Sequence, residues 1–272
     1  MTNFNGILIC TDLDGTLLRK NKEISDENVK AIDYFKAHGG YFTFVTGRMP
    51  FFVSEIVERI KPNAPIGCVN GGGLFDTVKN KYMWQSTMPE GVNALIKCID
   101  EGFPGVGIQV NTFDKVYFSK ENCIMEEFRK VTGVENLVCR YDEVEEPVAK
   151  IVFGIETEEE IMAVKEILAN HPLAANFDFI RSEKHLFEIL PKGINKGTSI
   201  SKLCECLGID INKTVAVGDY NNDIPMFFAA KAGIAVSNAC DAALKAADFI
   251  TVSNDEDAIA QVIYDIEKGK YL

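Results

Sequence analysis

Two acidic residues stand two positions apart, directly after the first apolar run of the chain. Asp12 and Asp14 follow residues 6–11, Gly-Ile-Leu-Ile-Cys-Thr, and are followed by Gly15 and Thr16. Like charges this close repel each other unless a cation neutralises them. Carboxylate oxygens are ligands that suit Mg²⁺. The segment therefore predicts a magnesium site, with a polar surface turn as the simpler alternative.

A second acidic cluster follows another strongly apolar run, residues 214–218. Asp219 and Asp223 flank Tyr-Asn-Asn, so that acids and amides stand side by side at the expected end of a strand. Such a cluster is typical of a metal site, and it is equally typical of a polar loop that caps the next helix. The residues alone leave both interpretations open.

Two further segments carry groups that bind anions. Thr46-Gly47-Arg48 offers a hydroxyl group and main-chain N–H groups at an expected helix start, where phosphate is favoured. Lys196 lies in the predicted first turn of another helix, where its charge opposes the helix dipole. A bound phosphate would remove that conflict. The alternatives are a helix cap at Thr46 and a solvated lysine at position 196.

The elements around these segments alternate between strand and helix patterns. Apolar runs at residues 6–11, 41–46, 65–70 and 214–218 predict strands, with amphipathic helical patterns between them. Alternating units of this kind predict a parallel sheet with helices on both faces. Because open parallel sheets bind ligands at the carboxyl ends of their strands, the four segments are expected to meet there.

The middle of the chain has another pattern. Pairs of candidate strands, with helical patterns near residues 122–131 and 158–169, predict an α+β unit with a largely antiparallel sheet. We therefore predict an α/β core made of residues 1–84 and 188–272, with residues 85–187 inserted as a second domain.

Composition and charge narrow the choice of partners and compartment. The 272 residues carry a formal net charge of −12, which repels nucleic acids and anionic membrane surfaces. No apolar stretch reaches the roughly 20 residues that span a bilayer, and the N-terminus lacks the features of a secretory signal. The eight cysteines are scattered without a CxxC pair, which favours reduced thiols. We therefore expect a cytoplasmic protein without nucleic-acid or membrane partners.

The four segments together resemble the motifs of the haloacid dehalogenase superfamily, in the same order. The matching residues are Asp-Leu-Asp-Gly-Thr from Asp12, Thr-Gly-Arg from Thr46, the single Lys196, and Gly-Asp-x-x-Asn-Asp from Gly218. The resemblance implies a Rossmann-like parallel-sheet core with an inserted α+β cap domain.

Two more segments are similar to signatures of the Cof-like phosphatases within that superfamily. They are residues 68–72, Cys-Val-Asn-Gly-Gly, and residues 233–239, Gly-Ile-Ala-Val-Ser-Asn-Ala. Gly72 stands where alanine is usual, and Ala258 where the tail of the family often has glycine. Neither departure touches the residues that carry the chemistry.

The resemblance implies a phosphatase that uses Mg²⁺ and acts on a small phosphorylated metabolite, such as a sugar phosphate. Asp12 would be the nucleophile that forms an aspartyl-phosphate, and Asp14 the general acid and base. The metal would be held by Asp12, Asp219 and the main-chain carbonyl of Asp14, with Asp223 as a direct or supporting ligand. Contacts to the phosphoryl group and substrate would come from Leu13, Thr46, Gly47, Arg48, Asn70, Gly71, Lys196 and Asn222.

Two other functions are compatible with the same motifs. A phosphotransferase of the phosphohexomutase type would pass the phosphoryl group to a sugar instead of to water. A regulatory protein that binds phosphorylated metabolites would keep the pocket without catalysis, although the intact Asp12 and Asp14 argue against it. The sequence sets neither the substrate nor the choice between monomer and homodimer.

Overall fold

The structure, a computed structural model, describes residues 4–272 and divides into two compact units. Of the described residues, the first unit comprises 4–84 together with Asn195–Leu272, and the second comprises Gln85–Ile194. Among the described residues, no helix has the length and apolar character needed to cross a bilayer.

The strands of both units are short and mostly apolar, as buried strands are. In chain order they are β1 (Leu8–Thr11), β2 (Tyr41–Phe44), β3 (Ile66–Cys68), β4 (Gly73–Asp76), β5 (Lys81–Gln85), β6 (Gly107–Thr112), β7 (Val116–Lys120), β8 (Leu137–Val138), β9 (Val148–Gly154), β10 (Phe177–Glu183), β11 (Leu186–Pro191), β12 (Thr214–Gly218), β13 (Ala232–Val236) and β14 (Phe249–Thr251).

The helices are amphipathic or buried segments that pack on these strands. They are α1 (Asp26–Ala37), α2 (Ser54–Ile60), α3 (Val92–Gly102), α4 (Cys123–Thr132), α5 (Glu158–Asn170), α6 (Lys196–Leu207), α7 (Ile224–Ala229), α8 (Asp241–Ala246) and α9 (Ala258–Glu267).

The first unit is built on a five-stranded parallel sheet in the order β14-β13-β12-β1-β2. Successive residues of β1 point to opposite faces, so that Ile9 packs with α1 and α9 while Leu8 and Cys10 pack with α6 and α7. Hydrophobic contacts on both faces explain why the strands read as continuous apolar runs. The α/β fold with an additional α+β unit is confirmed.

The third expected strand of the core is shorter than its apolar run. Residues 66–68 form β3, which pairs antiparallel with β4, while Val69–Gly71 form a 3-10 turn. Val69 and Asn70 have φ values of 55° and 51°, in the left-handed region, so the strand cannot continue through them. The turn lies in the Asn-Gly-Gly segment of the sequence.

The second unit has a six-stranded sheet in the order β10-β11-β9-β6-β7-β8, antiparallel except for the pair β7–β8. Helices α3 and α5 supply apolar side chains to one face of it. Helix α3 was not predicted, although its buried apolar residues have helical spacing: Val92, Leu95, Ile96 and Ile99. The helix begins after Gly91 with no side-chain cap, so the usual start signal is missing.

The predicted domain boundary after residue 187 differs from the division of the structure. Strand β11 pairs with β10 and β9 through Glu188 and Ile189, and the second unit continues to Ile194. Residues 188–194 therefore belong to the inserted unit. The difference arises because the predicted boundary lies inside β11, whose pairing partners β9 and β10 belong to the second unit.

A buried ion pair joins β9 and β11 in the second unit. The Nζ of Lys150 lies 3.0 Å from both carboxylate oxygens of Glu188, and the two side chains are only 8% and 3% exposed. The hydroxyl group of Ser182 donates a further hydrogen bond of 2.6 Å to Glu188. Desolvating two charges is costly, and the cost is offset only while each retains its partner.

We expect Glu188→Leu to lower the free energy of unfolding by about 3–5 kcal/mol, because it leaves the Lys150 ammonium buried without its carboxylate. The double variant Lys150→Met/Glu188→Leu should recover most of that loss. Denaturant unfolding measures both. The matched control is Glu126→Gln, which breaks the exposed pair with Lys130, and it should change stability little. Equal losses in the single and double variants would contradict the assignment.

Candidate active site

The catalytic candidates meet because β1 lies between β12 and β2. Thr11, the last residue of β1, is level with Val217 on one side and Phe44 on the other. Asp12 continues the ladder by donating its N–H to the carbonyl of Val217, at 2.8 Å. The segments that begin at Asp12, Thr46 and Asp219 therefore leave the sheet at the same edge.

A buried lysine stands between two carboxylates at this edge. The Nζ of Lys196 lies 2.5 Å from Oδ1 of Asp12 and 2.6 Å from Oδ1 of Asp223, with the three side chains at most 9% exposed. Burial disfavours the ammonium form, but the charges of Asp12 and Asp223 outweigh it and raise the pKa of Lys196. Lys196 is therefore a fixed positive charge.

Asp223 also shapes the loop that carries Asp219. Its second oxygen, Oδ2, accepts hydrogen bonds from the N–H groups of Asp219 and Tyr220, at 2.9 and 3.0 Å. Gly218 permits this approach, because a Cβ there would lie 2.5 Å from the Cβ of Asp223. Asp223 thus binds Lys196 with one oxygen and the loop with the other.

Asp12, Asp219 and Asp223 bring one carboxylate oxygen each within 4.8 Å of one another. Burial, followed by the charge of Asp223, raises the pKa of Asp219 to about 6, against 3.8 for an ordinary aspartate. Burial also raises the pKa of Asp12, beyond what Lys196 offsets. The cluster carries more negative charge than Lys196 balances, and its donors are all oxygens, so the residues fit a hard divalent cation.

Asp14 lies in a different environment from Asp12. Its carboxylate accepts two hydrogen bonds from Arg48, at 2.7 and 2.9 Å, and one from Lys22, at 2.8 Å. Burial disfavours its ionised form, but the charges of Arg48 and Lys22 prevail and lower the pKa of Asp14. Arg48, which was expected among the substrate contacts, has its guanidinium group bound to Asp14. Lys22 was not expected at the site, because it lies outside any motif.

The segments around Thr46 and Asn70 form a second wall beside the cluster. Asn70 is fully buried; its N–H donates to the carbonyl of Thr46, and its Oδ1 accepts a hydrogen bond of 3.2 Å from Asn222. Gly47 lies against the Asn70 amide, with only 3.0 Å available to a Cβ. The hydroxyl group of Thr46 accepts the N–H of Arg48 at 3.2 Å, as a turn cap would.

Gly71 explains how Lys196 reaches the site. Its φ is +98°, and a Cβ at this position would lie 1.8 Å from the carbonyl oxygen of Asn195. Only glycine lets the turn approach the start of α6 this closely. Asn195 caps that helix, and Lys196 follows in its first turn, as predicted. The predicted substrate contact at Gly71 thus has a structural role in placing the lysine.

Leu13, a predicted site residue, and Thr16, a residue of the same motif, contribute to the site in different ways. The side chain of Leu13 is fully buried in the hydrophobic core, so only its main chain can serve the site. The hydroxyl group of Thr16, which sequence reasoning did not assign, donates a hydrogen bond of 3.0 Å to Asp219. Its position in the Asp-Leu-Asp-Gly-Thr motif was the available signal.

Comparison with known proteins finds a family model and relatives that cover nearly the whole chain. A family model described as haloacid dehalogenase-like hydrolase matches residues 9–263. Two relatives from Bacillus subtilis, YitU and YwtE, are each named as a 5-amino-6-(5-phospho-D-ribitylamino)uracil phosphatase. YitU is 26% identical over 94% of this chain and 96% of its own, and YwtE is 28% identical over 97% and 99%.

A solved structure shows the same likeness in three dimensions. The crystal structure of a haloacid dehalogenase-like hydrolase from Bacteroides thetaiotaomicron superposes with a TM-score of 0.82. It is 26% identical in sequence and covers 96% of this chain and 99% of its own. The likeness therefore extends over both units of the chain.

The raised pKa of Asp219 predicts how metal-free stability varies with pH. The folded protein holds this proton more tightly than the unfolded chain, so the parent should lose stability relative to Asp219→Asn as pH rises from about 4 to about 6. Denaturant unfolding in chelator measures the difference. Asp33→Asn, which removes an exposed carboxylate, is the control and should show no such dependence of stability on pH. If the stability difference between the parent and Asp219→Asn did not change with pH, or changed in the opposite direction, the raised pKa of Asp219 would be contradicted.

Proposed function

This chain belongs to the haloacid dehalogenase-like hydrolase family and is a phosphatase. From that premise we propose a Mg²⁺-dependent hydrolase of small phosphorylated metabolites that works through an aspartyl-phosphate on Asp12. The observation that carries the proposal is the convergence of Asp12, Asp219 and Asp223 with the buried Lys196. A phosphoryl group needs such a combination of a nucleophile and positive charge.

The metal would be held by the side chains of Asp12 and Asp219 and by the main-chain carbonyl of Asp14. Both carboxylate oxygens of Asp223 already accept hydrogen bonds, from Lys196 and from two main-chain N–H groups. This favours a role for Asp223 in supporting the metal site over direct binding of the metal. When bound, Mg²⁺ supplies positive charge that draws the substrate phosphate toward an anionic nucleophile. Lys196 adds a second, permanent positive charge beside Asp12.

In the first step a carboxylate oxygen of Asp12 attacks phosphorus, and the bond from phosphorus to the leaving oxygen breaks. Asp14 gives its proton to that oxygen. In the second step Asp14 takes a proton from water, which attacks the aspartyl-phosphate and releases inorganic phosphate. During both steps the phosphoryl oxygens would be bound by Thr46, Gly47, Asn222, Lys196 and the N–H of Leu13.

The ion pairs of Asp14 determine its protonation state. Bound to Arg48 and Lys22, Asp14 is a carboxylate, the form suited to take a proton from water. To donate a proton in the first step it must be released from these cations. A substrate that draws Arg48 away would remove two of the three hydrogen bonds to Asp14 and leave only that of the exposed Lys22, which is consistent with the substrate contact first expected of Arg48.

The curated relatives support small phosphorylated metabolites as the substrate class. YitU and YwtE are named for the phosphate ester of a ribitylamino-uracil. A Mg²⁺-dependent phosphate-release screen should include this ester together with sugar, sugar-alcohol and nucleotide monophosphates. Phosphate that accumulates without added bisphosphate supports a hydrolase, whereas a bisphosphate requirement would support a phosphotransferase. No release from any ester would contradict the proposal.

We expect Asp12→Asn to abolish turnover while leaving the fold intact, because an amide cannot attack phosphorus as a carboxylate does. Chelation should also abolish turnover of the parent protein, and added Mg²⁺ should restore it. Phosphate release and circular dichroism measure the two properties. Asp33→Asn, with the same charge change at an exposed position, is the control and should stay active. Full activity in Asp12→Asn would remove the nucleophile from the mechanism.

We expect Asp14→Asn to lower steady-state turnover by about 10²–10⁴-fold, the usual contribution of a general acid and base. With p-nitrophenyl phosphate, whose leaving group needs no proton, the first step should survive and the second should fail. The variant should then release about one equivalent of p-nitrophenolate in a burst. Stopped-flow absorbance detects the burst. A slow, linear release without a burst would show that Asp14 does not act in the second step.

A further inference from the structure

A segment near the C-terminus contacts both loops that carry the acidic cluster. Asn238 donates a hydrogen bond of 2.9 Å from its amide to the carbonyl of Gly15, in the loop that follows β1. Two residues on, the N–H of Cys240 donates to the carbonyl of Asp219, also at 2.9 Å. Residues 238–240, here called the bridging segment, therefore tie the two loops together through main-chain carbonyls.

The bridging segment is itself fixed by a neighbouring asparagine. Oδ1 of Asn238 accepts the N–H of Asn254 at 2.9 Å, and the side-chain amide of Asn254 donates to the carbonyl of Leu18 at 2.8 Å. Asn254 is 3% exposed, so its geometry is set by packing. Two linked asparagines thus hold the Gly15 and Leu18 carbonyls of one loop.

The carbonyl group that accepts the hydrogen bond from Asn238 belongs to Gly15, which lies directly against the Asp219 carboxylate. Gly15 has a φ of +83°, and a Cβ on it would lie 2.5 Å from Oδ2 of Asp219. The next residue, Thr16, donates its hydroxyl hydrogen to Oδ1 of Asp219. A shift of the Gly15–Thr16 segment would therefore move the Asp219 carboxylate, and it would also move the adjoining carbonyl of Asp14.

We propose that Asn238 is a positioning residue that sets the spacing of the two acidic loops and thereby the affinity of the site for a divalent cation. The inference rests on the proposed function, because it takes Asp219 and the Asp14 carbonyl as metal ligands. Groups that orient metal ligands from outside the coordination sphere typically contribute 10–100-fold to metal affinity. Asn238 lies at the surface, so its loss should leave the fold intact.

The test uses Asn238→Leu, which keeps the approximate shape of the side chain and removes both hydrogen bonds. Calorimetric titration of Mg²⁺ into the protein without substrate should show about 10–100-fold weaker binding. Turnover should fall at low Mg²⁺ and recover at saturating Mg²⁺, with the KM for the phosphate ester unchanged. The midpoint of denaturant unfolding without metal should stay near that of the parent.

Two further variants separate the hydrogen bonds and control for general effects. Asn238→Asp keeps the acceptor for Asn254 but sets a carboxylate oxygen against the Gly15 carbonyl, so it should weaken Mg²⁺ binding despite its added negative charge. Asn170→Leu removes an exposed asparagine whose amide donates to a main-chain carbonyl, that of Glu166, at 3.0 Å in the other unit. It should bind Mg²⁺ as the parent does.

The outcomes distinguish this inference from the function on which it rests. If the parent binds Mg²⁺ and releases phosphate while Asn238→Leu binds Mg²⁺ equally well, the positioning role is wrong and the proposed function stands. If the parent binds no Mg²⁺, both fail. Should Asn238→Leu unfold, Asn238→Ala removes the same two hydrogen bonds in a smaller side chain and decides the question by the same titration.

Discussion

The constraint that governs the site is a cluster of three carboxylates at one sheet edge, in which Asp12 and Asp223 are buried against Lys196 and Asp219 lies part-buried beside them. Taking such charges out of water costs several kcal/mol each, and a single lysine cannot balance three acids. The strain is visible in the raised pKa values of Asp12 and Asp219. A cluster of this kind lowers stability unless further positive charge arrives, and the same deficit makes it a receptor for a divalent cation and an anionic substrate.

Much of the surrounding fold can be understood as the means of holding that cluster. Parallel strands end at a common edge, so acids far apart in sequence meet without long loops. Glycines stand where main chain or carboxylate must approach closely, as Gly71 does against Asn195 and Gly218 against Asp223. The asparagine pair Asn238 and Asn254 then fixes the outer side of the Gly15 turn.

Asp14 shows that two carboxylates in one motif can have opposite properties. Asp12 is buried against a fixed lysine and keeps one partner, whereas Asp14 is a third exposed and pairs with two cations on flexible side chains. A nucleophile benefits from a fixed position, while a group that gives and takes protons must be able to change partners. The difference arises from the surroundings of the two residues, since both are aspartates of the same loop.

The sequence by itself determined the family, the α/β core with its inserted unit, and the segments that meet at the sheet edge. Those features depend on local patterns, such as apolar runs and the spacing of Asp12 with Asp14, which can be recognised in the sequence alone.

Only the tertiary structure decided which groups pair. Lys196 reaches Asp12 across 184 positions, Arg48 binds Asp14, and Asn238 holds Gly15 from 223 positions away. It also moved residues 188–194 into the second unit, because strand pairing sets that boundary. Such contacts join distant parts of the chain, and no local periodicity encodes their partners.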